Sequence, residues 1–206
     1  MRTLLLVLLF TLPGAGLALA QAEGKADSAA AGPRAVVQDT VARVLAVLDE
    51  PGLDEDQRRS RIEALAFSVF DFETVSRLVM ARNWKKLDPD QRVVFVQEFK
   101  QYLSRNYGRR LERYEKAQVE VLGTRSEPRR DMTVLTRVVG GQYDGITMNY
   151  RLRERKSSWK VIDVVIEGVS MLANFRAQFA DVVSRDGVEG LLEAMRTRNL
   201  VSDSAD

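Results

Sequence analysis

The chain has 206 residues, 45% of them hydrophobic, which is enough for one domain with a substantial core. Its 31 Lys and Arg face 29 Asp and Glu, a formal charge of +2 that does not suit a dedicated nucleic-acid binder. Histidine and cysteine are both absent, which removes Ser-His-Asp and Cys-His catalysis, His-ligated zinc, disulfides and a cysteine-borne lipid anchor.

The N-terminus reads as a secretory signal peptide over residues 1–20. Arg2 supplies the basic start, residues 4–12 the apolar run, Pro13-Gly14 its end, and Ala18-Leu19-Ala20 the small-residue cleavage pattern. The run is too short for a transmembrane helix, so an exported protein beginning at Gln21 is expected. Residues 21–34 are Ala/Gly/Ser-rich without periodicity and read as a flexible leader. The folded domain is expected over 35–200, with a short tail at 201–206.

The first helix is expected over 35–48, where Val37, Val41, Val44, Leu45 and Leu48 make one apolar stripe before Pro51-Gly52. A second is expected over 54–69, with Ile62, Leu65, Ala66 and Val69 inward. Asp71 then opens a short third helix carrying Val75, Leu78 and Val79. Residues 83–87 read as a loop around Trp84. Asp88 followed by Pro89 is a strong helix start, and the fourth helix is expected to run to about Tyr114 with Phe95, Phe99, Leu103, Tyr107 and Leu111 on its buried face.

Beyond Tyr114 the period changes to two. Strands are expected over 117–122, 131–139, 145–154 and 158–166, with turns at Gly140-Gly141 and 155–157. In the third, Ile146, Met148, Tyr150 and Leu152 oppose Thr147, Asn149, Arg151 and Arg153. The inward set includes Val134, Val138, Met148, Tyr150, Val161 and Val165. Gly168 breaks the fourth strand, Ser170 can cap a helix carrying Met171, Leu172 and Phe175, and helices are expected over 170–184 and 186–197. Helices on one side of an antiparallel sheet make an α+β domain.

Asp163 and Glu167 can serve as general acid and base, or they can pair with arginines and cap the following helix. Basic clusters at Arg109, Arg110 and Arg113, and at Arg125, Arg129 and Arg130, read either as solvated faces or as docking surfaces for acidic partners and anionic headgroups. Arg82, Lys85 and Lys86 flank Trp84 in the same way.

Two stretches carry a family resemblance. Residues 159–179, WKVIDVVIEGVSMLANFRAQF, are followed by DGVEGLL at 186–192. Residues 70–99 bring Phe70, Asp71, Phe72, Arg82, Trp84, Pro89, Gln91, Arg92, Phe95 and Phe99 in order. Over roughly 36–199 the chain resembles the MlaC, or toluene-tolerance, family of periplasmic phospholipid-binding proteins. The resemblance implies an NTF2-like cone, in which a curved four- to five-stranded sheet with helices on one side encloses a lipid cavity. It implies acyl-chain contacts from Leu103, Tyr107, Val134, Val138, Met148, Tyr150, Val161, Val165, Val169, Met171 and Leu172, and partner docking through Arg109, Arg110 and Arg113. It implies a periplasmic monomer without cofactor, metal or catalytic residues. Such a protein shuttles phospholipid between an outer-membrane lipoprotein complex and an inner-membrane ABC transporter. A hopanoid ligand in the same fold, and a small enzyme using Asp163 or Glu167, are the other readings.

Overall fold

The computed structural model describes residues 32–111 and 117–197, the side chains of 107–111 excepted. The expected signal peptide, most of the leader, and the tail lie outside the described residues. Five helices precede and follow one open antiparallel sheet of five strands, making an α+β fold.

Each helix begins where the sequence supplies a start. Helix α1 (Pro33–Leu48) opens on its proline. Helix α2 (Glu55–Val69) starts from a capping box, in which Asp54 accepts from the Gln57 N–H at 2.8 Å and Gln57 accepts from the Asp54 N–H at 3.3 Å. Asp71 caps α3 (Phe72–Met80) by accepting the Thr74 N–H at 2.9 Å. Asp88 and Gln91 repeat the reciprocal pair at the head of α4 (Pro89–Leu111). The residues around Trp84, read as a loop, instead form a 3-10 helix over Ala81–Lys86. Trp84 is pinned there, edge-on to Phe95 with ring centres 6.2 Å apart and with the Arg92 guanidinium over its face at 5.6 Å.

The strands are β1 (Gln118–Ser126), β2 (Met132–Val139), β3 (Met148–Arg155), β4 (Ser158–Ile166) and the two-residue β5 (Val169–Ser170), paired in chain order. Three of the hairpins turn on two residues with positive φ: Arg129-Arg130 (64° and 62°), Lys156-Ser157 (46° and 65°) and Glu167-Gly168 (49° and 81°). These are the mirror-image turns whose twist matches that of paired strands. β1 runs four residues further than its alternation suggested, across a register shift between Val121 and Gly123. Helix α5 (Met171–Thr197) breaks at Gly187 (φ 71°), so the two expected C-terminal helices are present in series. Ser170 caps the first by accepting the Ala173 N–H at 3.0 Å.

The helices divide between two places. α3, α4 and α5 pack together beside β4, where Phe95, Phe99, Phe175 and Phe179 form an aromatic core whose Phe99 and Phe175 also border the cavity described below. α1 and α2 pack on each other and lie over β1, β2 and β4. The α2–α3 joint is stitched to the sheet by the Asp71 N–H donating to the Val161 carbonyl at 3.0 Å.

Candidate functional site

Between the α1–α2 pair and the inner face of the sheet lies a cavity of about 470 Å³. α1 exposes Val36, Val41, Val44 and Leu45 to it, α2 Ala66 and Phe67, the sheet Val138, Met148, Tyr150, Val161, Val164 and Ile166, and the segment before β3 Ile146, while Phe72, Phe99 and Phe175 from α3, α4 and α5 close the remaining side. Few polar side chains reach the wall, and most are already engaged. The Thr40 hydroxyl donates to the Val36 carbonyl at 2.7 Å, the Ser104 hydroxyl to Glu63, and the Tyr150 hydroxyl to Met148 Sδ at 3.1 Å. Among the described residues no lysine or arginine lines the cavity. A wall of this kind gives non-directional apolar contact and few polar handles, which suits long hydrocarbon.

Seven of the eleven residues expected to contact the ligand line the wall: Leu103, Val138, Met148, Tyr150, Val161, Met171 and Leu172. Val134 is on the same face but fully buried, packed with Val37, Leu152 and Val161 behind the wall. Tyr107 lies among the residues whose side chains are not described. Val169 pairs with Ile166 across the β4–β5 turn but sits at the sheet's edge, 62% exposed and outside the wall.

Val165 corrects the strand reading. Arg151 pairs with Asp163, but the next residue, Leu152, pairs with Val161, so Ile162 is an extra residue in β4. This bulge reverses the phase. Before it Val161 faces the cavity; after it Val164 and Ile166 do, and Val165 points to the other face. Strict alternation put Val161 and Val165 on one face; the bulge separates them.

Asp163 and Glu167 are tied to the backbone. Asp163 accepts the Ser170 hydroxyl at 2.6 Å and the Leu172 N–H at 3.0 Å, holding the start of α5 against β4. Glu167 accepts the N–H and hydroxyl of Thr147, at 2.5 and 2.8 Å. The Thr147 N–H, then its hydroxyl, hold the Glu167 carboxyl below its ordinary value, the opposite of what a general acid needs. Of the basic residues, Arg125 pairs with Glu127 at 2.7 Å, while Arg113 and the side chains of Arg109 and Arg110 lie outside the described residues. Among the described residues no cluster of carboxylates could hold a metal ion, and no helix is long and apolar enough to cross a membrane.

The sequence profile described as "MlaC protein" matches residues 38–197. The chain is 28% identical over 167 residues to toluene tolerance protein ttg2D of Pseudomonas putida, covering 77% of this chain and 76% of that one. Its fold is similar to that of a phospholipid-binding protein from Ralstonia solanacearum solved in complex with a phospholipid. The TM-score is 0.73 at 27% identity, over 82% of this chain and 97% of the other.

Proposed function

Because the chain belongs to the MlaC family, we propose that it is a phospholipid carrier that holds acyl chains in the cavity under α1 and α2 and leaves the headgroup outside. The apolar, internally satisfied wall carries this reading. Two acyl chains hold on the order of thirty methylenes, and exposing them to water costs on the order of 20 kcal/mol at ~0.8 per methylene. Only a continuous apolar lining can offset that, and a groove lined by charges could not. The bound phospholipid of the Ralstonia protein supports the same ligand class here. Transfer needs no covalent step: carriage is binding and release, without cofactor.

The expected export signal supports a periplasmic location for the carrier. There it acts as a monomer between an outer-membrane lipoprotein complex and an inner-membrane ABC transporter. Arg109, Arg110 and Arg113 are the proposed contacts with those complexes, since rim charges raise encounter rates more than they tighten binding.

The test is substitution of single wall residues. Met148→Glu and Ile166→Glu put an unpaired carboxylate into the acyl site and should abolish co-purifying phospholipid, whereas Val165→Glu should keep it. Extracted lipid per protein is the readout, with circular dichroism to show folding. A folded Ile166→Glu variant that still carries a full complement of lipid would refute the cavity as the ligand site.

A further inference from the structure

The β3–β4 region carries a second recess of about 300 Å³, lined by Leu78, Ile162 and Leu172 and ringed by Arg129, Arg151, Arg153 and Arg176. Its arginines come from three separate elements: the β1–β2 turn, strand β3 and helix α5. They differ in what already holds them. Arg153 is clamped by the buried Asp131, its Nε and a terminal nitrogen donating at 2.6 and 2.7 Å. Arg151 lies 3.4 Å from the same carboxylate, but its buried Nε has no hydrogen-bond partner. Arg176 spends its Nε on the Leu78 carbonyl at 3.0 Å, which fixes the plane of the guanidinium. Neither Arg129 nor Arg176 has an ion-pair partner among the described residues.

Carboxylates do not balance this ring. Asp163 is the acid in the wall, and both of its oxygens are taken by Ser170 and Leu172. Asp131 sits behind Arg153, and Glu127 and Asp71 act on Arg151 and Arg153 from further off but are already paired with Arg125 and Arg155, so an excess of two positive charges remains at the recess. Arg129 and Arg130 occupy the two left-handed positions of the turn, at φ 64° and 62°, where Gly, Asn or Asp is usual. An arginine there gives up an unstrained backbone and gains a cation at the recess.

We propose that this recess binds a phosphate-type oxyanion, with Arg129, Arg151 and Arg176 as its donors and the Arg153–Asp131 pair as a rigid frame. Guanidinium forks from three directions suit a tetrahedral anion better than the single planar edge of a carboxylate. The apolar side of the recess limits competition from water. The anion is either free phosphate or the phosphate of a lipid headgroup, since Ile162, Asp163 and Leu172 border both this recess and the large cavity.

The experiment uses the full chain and an Arg129→Gln/Arg176→Gln double variant, both positions being exposed and so tolerant of change. Inorganic phosphate is titrated by calorimetry at low salt, and co-sedimentation is measured with vesicles of phosphatidic acid and of phosphatidylcholine. Saturable phosphate binding that weakens about tenfold in the double variant is expected. Phosphate binding without vesicle binding assigns a free anion. Sedimentation with phosphatidic acid alone, competed by phosphate, assigns a headgroup. Absence of saturable binding to either probe, or equal binding by both proteins, overturns the proposal. Co-purified phospholipid is measured alongside in the unaltered protein; its absence there would count against the carrier reading and leave the phosphate titration standing.

Discussion

In the body formed by α3, α4 and α5, the rings of Phe95, Phe99, Phe175 and Phe179 stand 5.3 to 5.9 Å apart, in edge-to-face and tilted contacts. Beneath α1 and α2, mostly aliphatic residues surround about 470 Å³ of space, and Phe99 and Phe175 of the aromatic body close its far side. The difference lies in side-chain reach and helix placement. Long planar rings from facing helices interdigitate to the density of a protein interior. On α1 only Val37 and Leu48 are fully buried, Val37 against Val134, Leu152 and Val161, while Val44 and Leu45 face open space instead of a partner on the sheet. One region fills itself; the other requires a filler. The same apolar stripe on a helix therefore means stability in the first region and binding capacity in the second.

The largest effect should come from opening the filled region. Phe179 is fully buried and touches three other phenylalanines, so Phe179→Ala should cost about 3–5 kcal/mol. Val44→Ala, on the cavity wall, should cost less than about 1.5 kcal/mol in lipid-free protein, because it enlarges a space that already exists. Urea unfolding of both variants checks this. Equal losses would mean that the cavity region is as tightly packed as the helical body.

Removing ligand should have the next largest effect, and on one region only. A ligand that binds only the folded state at one hundred times its Kd adds about 2.7 kcal/mol, or roughly 5–10 °C in Tm for a domain of this size. Delipidated protein should therefore melt lower. Hydrogen exchange should quicken most in α1 and α2 and least around Phe179. Uniform quickening would show that the two regions share one stability.

Much of the architecture was legible because it rests on local chemistry. Asp54, Asp71, Asp88 and Ser170 announce helix starts through cap bonds that form within three residues. The alternation read over 145–154 placed Ile146, Met148 and Tyr150 on the cavity side correctly, although β3 itself begins only at Met148. What stayed hidden depends on distant partners. The extra residue at Ile162 arises from register with β3 and leaves no mark in β4's own sequence, yet it decides that Val164 and Ile166, not Val165, face the cavity. The 3-10 helix around Trp84 depends on Phe95 and Arg92, which lie on the next helix. Nor could α1 be read as a cavity wall. Its stripe is that of any core-facing helix, and only the distance to the sheet makes it otherwise. The arginine recess likewise joins distant residues, its arginines running from Arg129 to Arg176 and its apolar side reaching back to Leu78.

The smallest effect concerns the joint between the regions. Asp71 caps α3 on one side and accepts from Arg155 Nε at 2.9 Å on the other, while Arg155 also donates to the Thr74 hydroxyl at 2.5 Å. Burial alone would raise the Asp71 carboxyl, but the bonds from Thr74 and Arg155 outweigh it and hold the group below its ordinary value. A carboxyl that is lower in the folded than in the unfolded chain stabilises fully above the unfolded value of about 4, and the contribution is lost as pH falls through the folded value. Asp71→Ala should cost about 1 kcal/mol at neutral pH, the usual worth of a helix cap, and nearly nothing once the pH has fallen below the folded-state value. Two tryptophans can report where the loss is felt, since Trp84 packs in the helical body and Trp159 against the cluster beside the cavity. With Trp84→Phe and Trp159→Phe each built into wild type and Asp71→Ala, coincident transitions mean that the joint still couples the regions. In the variant the Trp159 signal should fall first, because the half-empty region has less contact of its own to hold it. Loss of the Trp84 signal first would place the weaker region in the aromatic body and reverse the comparison.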